Sequence, residues 1–546
     1  HLSLRRQRQM CIRDSAHTSL AAGGINAALG TMDEGDSWQQ HAADTIKESY
    51  LLANPHTVEI VTQGAERGIR DLERWGMDFA REDDGRISQR FFGAHTFRRT
   101  AFAGDYTGLE IQRTLVAKAE QLEVPILDQV YITRLLVRDN VVFGAYGFDQ
   151  SDGTRYLIHA DAVILAAGGH NRIWRRTSSR RDENTGDSFR LAVEAGARLR
   201  DPELVQFHPS GIIEPENAAG TLISEAARGE GGILRNALGE RFMSKYDPER
   251  MELSTRDRVA LAAYTEIAEG RGTENGGVWL DVSHLPRETI MTRLPRVYQT
   301  MMELQMLDIT TDPIEIAPTA HYSMGGVWVR PDDHQTDVDG LYAIGEASSG
   351  LHGANRLGGN SLIELLVYGR IVGQAAMAHA AGLDAQRRSA DAVAQARAEI
   401  DDLLVADGRE NVRALQRAIR NTMTQHAGVV RSEKGLRAGL AELDMIEGRM
   451  EDIGIHPDIA GFQDLAHAFD LKASALAARA TLEAALERRE TRGCHNRSDY
   501  PDTDPTLQVN LVWSPTGGVT HESIPEIPAE IAELMREVDT EGKLVE

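Results

Sequence analysis

Cysteine is the residue that this sequence has least of: among 546 residues, only Cys11 and Cys494 occur. Two cysteines exclude a disulfide framework, a cysteine-rich zinc site and a self-contained iron–sulfur cluster. Basic residues are also in deficit, with 59 Lys and Arg against 83 Asp and Glu and a formal net charge of −24. This balance argues against a nucleic-acid-binding protein, which normally presents a basic face.

Long hydrophobic runs are missing as well. No apolar run approaches the roughly 18 residues of a membrane span, so we expect any membrane association to come through a partner. Hydrophobic residues nevertheless make up 41% of the chain and charged residues 26%. These are the proportions of a globular protein with a buried core, and the length suggests two to four domains. The composition favours an intracellular enzyme whose chemistry does not depend on thiols.

Residues 1–15 differ from the rest of the chain. They carry four arginines, at positions 5, 6, 8 and 13, and no apolar stretch. The segment is therefore not a secretory signal. We interpret it as foreign sequence joined to a truncated gene; a flexible basic tail is the alternative.

Two short apolar runs that end in glycine indicate the fold. They are DAVILAAGG at 161–169 and GLYAIGE at 340–346. Each predicts a buried strand that ends in a tight turn, with Glu346 placed to accept hydrogen bonds from ribose or ribityl hydroxyls. Residues 208–321, between the two runs, differ in composition and are rich in Gly, His and charged motifs. The sequence after Gly382 has a helical pattern over 386–490. The pattern predicts an α/β nucleotide-binding domain, interrupted by an inserted domain and followed by a helical domain.

A dinucleotide-binding domain should also carry G-x-G-x-x-G after its first strand. That pattern does not occur in this chain. Either the cofactor is held in another way, or the first βαβ unit lies outside this sequence. The unusual first fifteen residues favour the second explanation.

A set of polar residues flanked by glycine or proline predicts a site for a small dicarboxylate. The set is His208, Ser224, Glu225, Arg228, Arg256, His321 and Arg356. Guanidinium groups bind carboxylates through two parallel hydrogen bonds, and histidine or serine can satisfy the remaining oxygens. Taken singly, each histidine is more often structural and Glu225 with Arg228 is more often a solvated ion pair.

The local context gives further expectations for these residues. Pro209 predicts that His208 projects from the end of a strand, and the sequence around His321 is turn-like. Arg256 follows Ser254 and Thr255, either of which could cap a helix. The Gly-rich loop before Ser361 suits contact with a pyrophosphate or a flavin ring at a helix start. The tail from Arg492 is expected to be mostly irregular.

Nine motifs, in this order and spacing, resemble the flavoprotein subunit of succinate dehydrogenase and fumarate reductase. They are AHTSLAAGGINAALG, LAAGG, NTGD, QFHPSG, SEAARGEGGIL, STRDRV, PTAHYSMGG, GLYAIGEASSGLHGANRLGGNSL and RGCHNRSDYPD. The resemblance covers residues 16 to about 500. It implies a Rossmann-like FAD-binding domain with an inserted α+β capping domain, then a helical domain and a C-terminal segment. The implied boundaries are 16–207 and 322–385 for the FAD-binding domain, 208–321 for the capping domain, 386–490 for the helical domain and 491–546 for the C-terminal segment.

The resemblance also implies a role for each site residue. FAD would be attached covalently through His17 and contacted by Thr18, Gly23, Gly24, Asp187, Glu346, Ser361 and Leu362. Substrate carboxylates would be held by His208, Ser224, His321 and Arg356. Arg256 would donate or accept the proton, with Glu225 and Arg228 as its relay, because an arginine alone is an awkward base. Ser224 stands where the family usually has threonine, and the hydroxyl is kept.

The implied reaction is hydride transfer between succinate or fumarate and covalent FAD. Electrons would pass to an iron–sulfur subunit, then through membrane anchor subunits to quinone. The chain would lie peripherally on the cytoplasmic face of the cell membrane, with no metal of its own. Two alternatives stay open: an L-aspartate oxidase, whose family holds FAD non-covalently and lacks the histidine at the attachment position, and an inactive truncated flavin-fold protein.

Overall fold

The first part of the fold combines three helices with a small antiparallel sheet. The computed structural model describes residues 17–180, 182–457 and 461–535. After a 3₁₀ turn at His17–Leu20, the elements are β1 (Ile25–Asn26), α1 (Trp38–Glu48), α2 (Pro55–Arg74), β2 (Gln89–Arg90), β3 (Thr100–Ala101) and α3 (Thr107–Gln121). The strand order is β1-β3-β2.

Helix α2 shows how the local sequence sets an element. The side-chain oxygen of Asn54 accepts hydrogen bonds from the main-chain N–H groups of His56 and Thr57, at 3.0 and 3.3 Å. Pro55 occupies the first helical position. Both features are typical of a helix start. The buried apolar residues recur every three or four positions, so α2 turns one face to the core.

A three-stranded antiparallel meander follows. Its strands are β4 (Val130–Arg138), β5 (Val141–Asp149) and β6 (Arg155–His159), hydrogen-bonded in that order. Next come β7 (Val163–Leu165), α4 (Asp187–Ala195) and β8 (Leu199–Arg200). The apolar runs between residues 124 and 165 also predict strands, and the structure has them from residue 130 onward. Residues 122–129 are irregular and exposed, although they include four large apolar side chains.

The insert has its own antiparallel sheet. Its elements are β9 (Val205–Ile212), α5 (Ala226–Gly229), β10 (Ile233–Arg235), α6 (Met243–Tyr246), α7 (Arg256–Glu266), β11 (Val278–Asp281), α8 (Arg287–Arg293), α9 (Pro295–Gln305) and β12 (Ile314–Ser323). The strand order is β10-β11-β12-β9. Strands β9 and β12 connect the insert to the rest of the chain, and its core is a separate apolar cluster around Leu280 and Ile316.

The two predicted histidine contexts are wrong. His208 lies inside β9 rather than at a strand end, and it pairs with Thr319 of β12. His321 lies in β12 rather than in a turn. Pro209 is tolerated inside β9 because the register shifts there, between Ala317 and Thr319 of the partner strand. Both histidines lie inside strands because β9 and β12 pair along most of their length. The local sequence around each histidine does not show that pairing.

The chain then returns to the first unit through β13 (Gly326–Val327), β14 (Leu341–Ala343) and α10 (Asn360–Gly382). β14 pairs in parallel with β7, with Tyr342 opposite Ile164, so the two predicted glycine-ended strands are confirmed as neighbours. The predicted burial of the first run is wrong: Ile164 is 39% exposed, and Ala166 and Ala167 are exposed. Among the described strands, β7 pairs on one side alone.

Helix α10 packs its first half against α2. Gly64 and Gly68 of α2 allow this close approach, because a Cβ atom at Gly68 would lie 3.1 Å from both Ile363 and Leu366. By length and composition, α10 meets the criteria for a membrane-crossing helix, contrary to the expectation that no apolar run approaches a membrane span. Its buried residues, from Asn360 to Val372, include the polar Asn360 and Glu364, and they belong to the core shared with α2.

The predicted helical segment is confirmed and is followed by a more regular tail than expected. The elements are α11 (Ala390–Leu404), β15 (Glu410–Asn411), α12 (Val412–His426), β16 (Val430–Arg431), α13 (Glu433–Arg449), β17 (Ile453–Gly454), α14 (Gln463–Glu487) and β18 (Asn496–Arg497). The tail forms a hairpin of β19 (Val509–Ser514) and β20 (Gly518–Ser523), then α15 (Ala529–Leu534). Strand β19 pairs with β8, so the tail completes a sheet with distant residues.

Candidate active site

One cavity of about 660 Å³ lies between the insert and the glycine-rich segments of the first unit. It gathers residues that are far apart in sequence. Of the predicted site residues, its lining includes Thr18, Gly23, Gly24, Asp187, His208, Ser224, Glu225, Arg256, His321, Glu346, Arg356, Ser361 and Leu362. The structure therefore brings the predicted cofactor set and the predicted substrate set to one place.

Two predicted residues stand apart from that lining. The side chain of His17 lies outside the described part of the structure, so the predicted attachment site stays a prediction. Arg228 is buried behind Glu225, with 3.8 Å between its Nη2 atom and Oε1 of Glu225. Its Nη1 atom donates to the main-chain oxygen of Glu252 at 2.6 Å, which fixes the guanidinium group.

Arg256 and Glu225 form the central ion pair of the site. Nε and Nη2 of Arg256 lie 2.9 and 2.8 Å from Oε2 of Glu225. Arg256 is the first residue of α7, and Thr255 before it makes no side-chain capping bond, so that expectation is wrong. Burial raises the pKa of Glu225, but the charges of Arg256 and Arg228 outweigh burial and lower that pKa to about 2. Glu225 therefore remains a carboxylate at neutral pH.

Arg356 is a second buried guanidinium beside the first. Its Nη1 atom donates to Oγ of Ser361 at 2.8 Å, and its carbon Cζ lies 4.3 Å from the centre of the Tyr322 ring. Its Nε atom is buried and has no hydrogen-bond partner. Burial, together with the charge of Arg256, lowers the pKa of Arg356 to about 10, which still leaves it charged at neutral pH. An unpaired buried donor on a cation is suited to bind an anionic ligand.

Gln206 and Asn355 are site residues that the sequence reasoning missed. Oε1 of Gln206 accepts hydrogen bonds from both Arg256 Nη1, at 3.3 Å, and Arg356 Nη2, at 3.0 Å. Nε2 of Gln206 donates to Oδ1 of Asn355 at 2.7 Å, and Nδ2 of Asn355 donates to Asp257 at 2.9 Å. These amides hold two like charges side by side. The signal available for them was their place inside two of the quoted motifs, QFHPSG and GLYAIGEASSGLHGANRLGGNSL.

The two histidines face each other across the strands β9 and β12. The rings of His208 and His321 are 5.4 Å apart and nearly perpendicular. Burial and the charges of Arg256 and Arg228 hold the pKa of His208 well below its ordinary value, so the ring is neutral. Its Nδ1 atom accepts a hydrogen bond from the main-chain N–H of Ser210, which places the remaining proton on Nε2 as a donor.

The opposite wall of the cavity is made of glycines and carboxylates. Glu346 is held by Asn171 Nδ2, at 2.6 Å, and by the main-chain N–H of Ser323, at 3.0 Å. Burial raises the pKa of Glu346 to about 7. The Asp187 carboxylate accepts from the Tyr131 hydroxyl at 2.9 Å, and Asp470 lies 2.8 Å from the same hydroxyl.

The turn before α10 is fixed by a network of buried amides. Asn26 donates through Nδ2 to the main-chain oxygen of Gly358 at 2.7 Å and to Oδ1 of Asn360 at 2.8 Å. Gly359 has a φ of +89°, and a Cβ atom there would lie 2.2 Å from Asn26. A Cβ atom on Gly358 would lie 3.3 Å from Arg256 Nη2. Glycine at both positions lets the turn approach the arginine.

Comparison with known proteins identifies the chain's family. The family profile described as FAD binding domain matches residues 12–362, and the one described as fumarate reductase flavoprotein C-term matches residues 416–534. A fumarate reductase (CoM/CoB) component of Methanothermobacter marburgensis is 41% identical over 500 residues, which cover 91% of this chain and 90% of that protein. The succinate dehydrogenase flavoprotein subunit of Rickettsia felis is 37% identical, with 89% and 84% covered.

Solved structures show the same relationship. Mycobacterium smegmatis Sdh1 in complex with UQ1 matches with a TM-score of 0.85 and 35% identity, covering 95% of this chain and 90% of that chain. FrdA from an E. coli quinol fumarate reductase variant matches with a TM-score of 0.88 and 31% identity, covering 94% and 91%. The predicted fold, an FAD-binding domain with a capping domain and a helical domain, is confirmed. The chain belongs to the family of the flavoprotein subunits of succinate dehydrogenase and fumarate reductase.

Proposed function

We propose that this protein interconverts succinate and fumarate, with FAD attached covalently through His17. The observation that carries the proposal is the cavity in which the Arg256–Glu225 pair, Arg356 and two histidines meet a glycine-lined wall. Its cations suit a substrate with two carboxylates. Its glycines suit a flat cofactor ring that approaches the main chain closely.

The residues of the cavity fit FAD. Glycines at 23, 24, 345 and 359 line the cavity, so no side chain at these positions keeps a flat ring from the main chain. Glu346 and Asp187 supply acceptors for ribityl or ribose hydroxyls. When bound, FAD supplies the acceptor and donor of the hydride. The chain's own residues bind and orient the dicarboxylate and move its proton.

Binding and orientation would come from Arg356 and the two histidines. Arg356 offers its unpaired Nε atom to one carboxylate, and one N–H of each terminal nitrogen is held by Ser361 or Gln206, which fixes the guanidinium plane. Neutral His208 offers the N–H of Nε2. Ser224 accepts from the main-chain N–H of Ala226 at 3.3 Å and can still donate its hydroxyl proton. Fixing a substrate at several points lowers the barrier by on the order of several kcal/mol.

Proton transfer would involve Arg256. Two of its nitrogens contact Glu225, and the third contacts Gln206, so the guanidinium group has one orientation. In fumarate reduction Arg256 donates a proton to the substrate carbon, and in succinate oxidation it accepts one. Glu225, a carboxylate at rest, takes up the proton only transiently, and with the buried Arg228 behind it forms the route that returns a proton to Arg256 after fumarate reduction and removes one from Arg256 before succinate oxidation.

Other subunits would complete the electron path. In the described residues Cys494 is the one cysteine, buried and unpaired, and no group of His, Cys, Asp and Glu is arranged for a metal. An iron–sulfur subunit would therefore take the electrons, and anchor subunits would connect it to quinone at the cytoplasmic face of the membrane. The M. smegmatis relative was solved with UQ1, which supports a quinone partner.

Two measurements test this proposal. Purified protein is precipitated with acid, and flavin fluorescence is read in the pellet and the supernatant. We expect flavin in the pellet; flavin in the supernatant would favour the L-aspartate oxidase alternative, and no flavin in either would favour the inactive fragment. Fumarate reduction with a reduced viologen dye then tests the activity. Flavin-loaded protein that reduces no fumarate and oxidises no succinate would overturn the proposal.

A further inference from the structure

Arg296 is a guanidinium of the capping domain that the proposed chemistry does not use. It is the second residue of α9, and it lies at the cavity beside Val297 and Thr300. Its contacts point out of the capping domain. Nη1 donates to the main-chain oxygen of Asp105 at 2.7 Å, and Nη2 donates to the main-chain oxygen of Ser19 at 3.4 Å.

The residues that Arg296 contacts form one unit on the other side of the cavity. Ser19 belongs to the turn at 17–20, and the main-chain oxygen of Ala21 accepts from the N–H of Gly108, at the start of α3, at 2.8 Å. The Arg296 guanidinium also lies 5.2 Å from the centre of the Tyr106 ring, within the range of a cation–π contact. One side chain of the capping domain therefore contacts both the turn and the start of α3.

A second arginine, in the FAD-binding domain, binds the residues that directly follow the turn. Nη2 and Nε of Arg90 donate to the main-chain oxygens of Ala22 and Gly23, at 2.7 and 3.0 Å. Residues 18–24 are thus held through their carbonyl oxygens by two cations. Arg90 lies in the same domain as the turn, whereas Arg296 belongs to the capping domain and contacts the turn from the cavity. Strands β9 and β12, the covalent links of that domain, supply neither arginine.

We infer that Arg296 is a positioning residue that holds the capping domain against the turn at 17–20 and the start of α3. Contact with Arg296 orders the carbonyl groups of that turn, and losing it loosens both the turn and the contact of the capping domain with it. The kinetic consequence rests on the proposed function, because the predicted flavin-bearing residue, His17, begins the turn. The structural consequence does not depend on any activity.

Hydrogen exchange of the flavin-loaded protein tests the inference. The reporters are the N–H groups of Ala21 and Gly108, which are bonded to Thr18 and Ala21. In Arg296→Ala we expect their exchange to be about tenfold faster or more, because fewer bonds must break for the turn to open. Arg287→Ala is the matched control, since Arg287 sits on α8 of the same domain and donates only within it, to Asp308 and Thr310.

Conservative variants and kinetics complete the test. Arg296→Lys keeps the charge and one donor, so its exchange should lie between those of the wild type and Arg296→Ala; it also serves if the alanine variant does not fold. For fumarate reduction we expect KM to rise about tenfold and kcat to change much less. Exchange at Ala21 and Gly108 that equals that of Arg287→Ala in both variants would overturn the inference. A wild-type protein without fumarate reductase activity would instead refute the proposed function and leave the exchange result standing.

Discussion

Replacing Arg256 with lysine tests the centre of the site. Arg256 places three nitrogens on two partners: Nε and Nη2 on Oε2 of Glu225, and Nη1 on Oε1 of Gln206. A lysine ammonium is a point charge on a flexible stem, and it cannot occupy all three positions. The variant keeps the positive charge and loses the orientation.

The size of the effect follows from the number of bonds. Hydrogen bonds to charged groups are worth about 1.5–3 kcal/mol each, so losing two of them removes about 3 kcal/mol or more of positioning. At 1.36 kcal/mol per tenfold change in rate, kcat should fall by about two orders of magnitude or more. FAD content should stay the same, because no predicted flavin contact involves Arg256.

The assay is fumarate reduction by a reduced viologen dye, with flavin content taken from visible absorbance. Arg258→Lys is the matched control: it makes the same change two residues further along α7, on a side chain that is 60% exposed and 3.8 Å from Asp247. We expect the control to retain full activity. If Arg256→Lys kept its FAD and its kcat stayed within about threefold of the wild type, the fixed orientation of Arg256 would have no part in the reaction.

Three further outcomes are expected. Arg356→Lys should raise KM for fumarate about 100-fold or more, since lysine cannot supply the unpaired Nε donor together with the bond to Ser361. Burial raises the pKa of Glu346 from 4.5 to about 7, so between these pH values the folded protein keeps a proton that the unfolded chain has released. The free energy of unfolding should therefore fall by about 3 kcal/mol as the pH rises from 4.5 to about 7. Urea unfolding at these two pH values should show a smaller decrease for Glu346→Gln. Gly68→Val should lower the free energy of unfolding by about 1–3 kcal/mol, because Ile363 leaves no room, whereas Gly369→Ala, in open space, should not.

Much of the architecture could be predicted from local patterns. The helices between residues 390 and 487 follow from their composition, and α2 follows from Asn54 and Pro55. The existence of strands β7 and β14, though not their pairing, follows from two apolar runs that end in glycine. These features depend on residues within about four positions of each other, the range over which capping and periodicity act.

The parts that could not be predicted depend on long-range contacts. The place of His208 inside β9 is set by pairing with a strand more than 100 residues away. Gln206 is 50 residues from Arg256 and 150 from Arg356, and its role exists only because the fold brings both to one oxygen atom. A local sequence pattern does not show which residues of two distant strands pair, or that two distant side chains share one hydrogen-bond acceptor. The same holds for the tail, where β19 is a strand because it pairs with β8.

The edge of β7 has a consequence for handling the protein. Main-chain groups on one side of that strand have no partner strand among the described residues, and Ile164 beside them is 39% exposed. An open, apolar strand edge is a template for pairing with another chain. We therefore expect this chain to self-associate through the β7 edge in concentrated solution despite the large negative charge, and light scattering should rise with concentration.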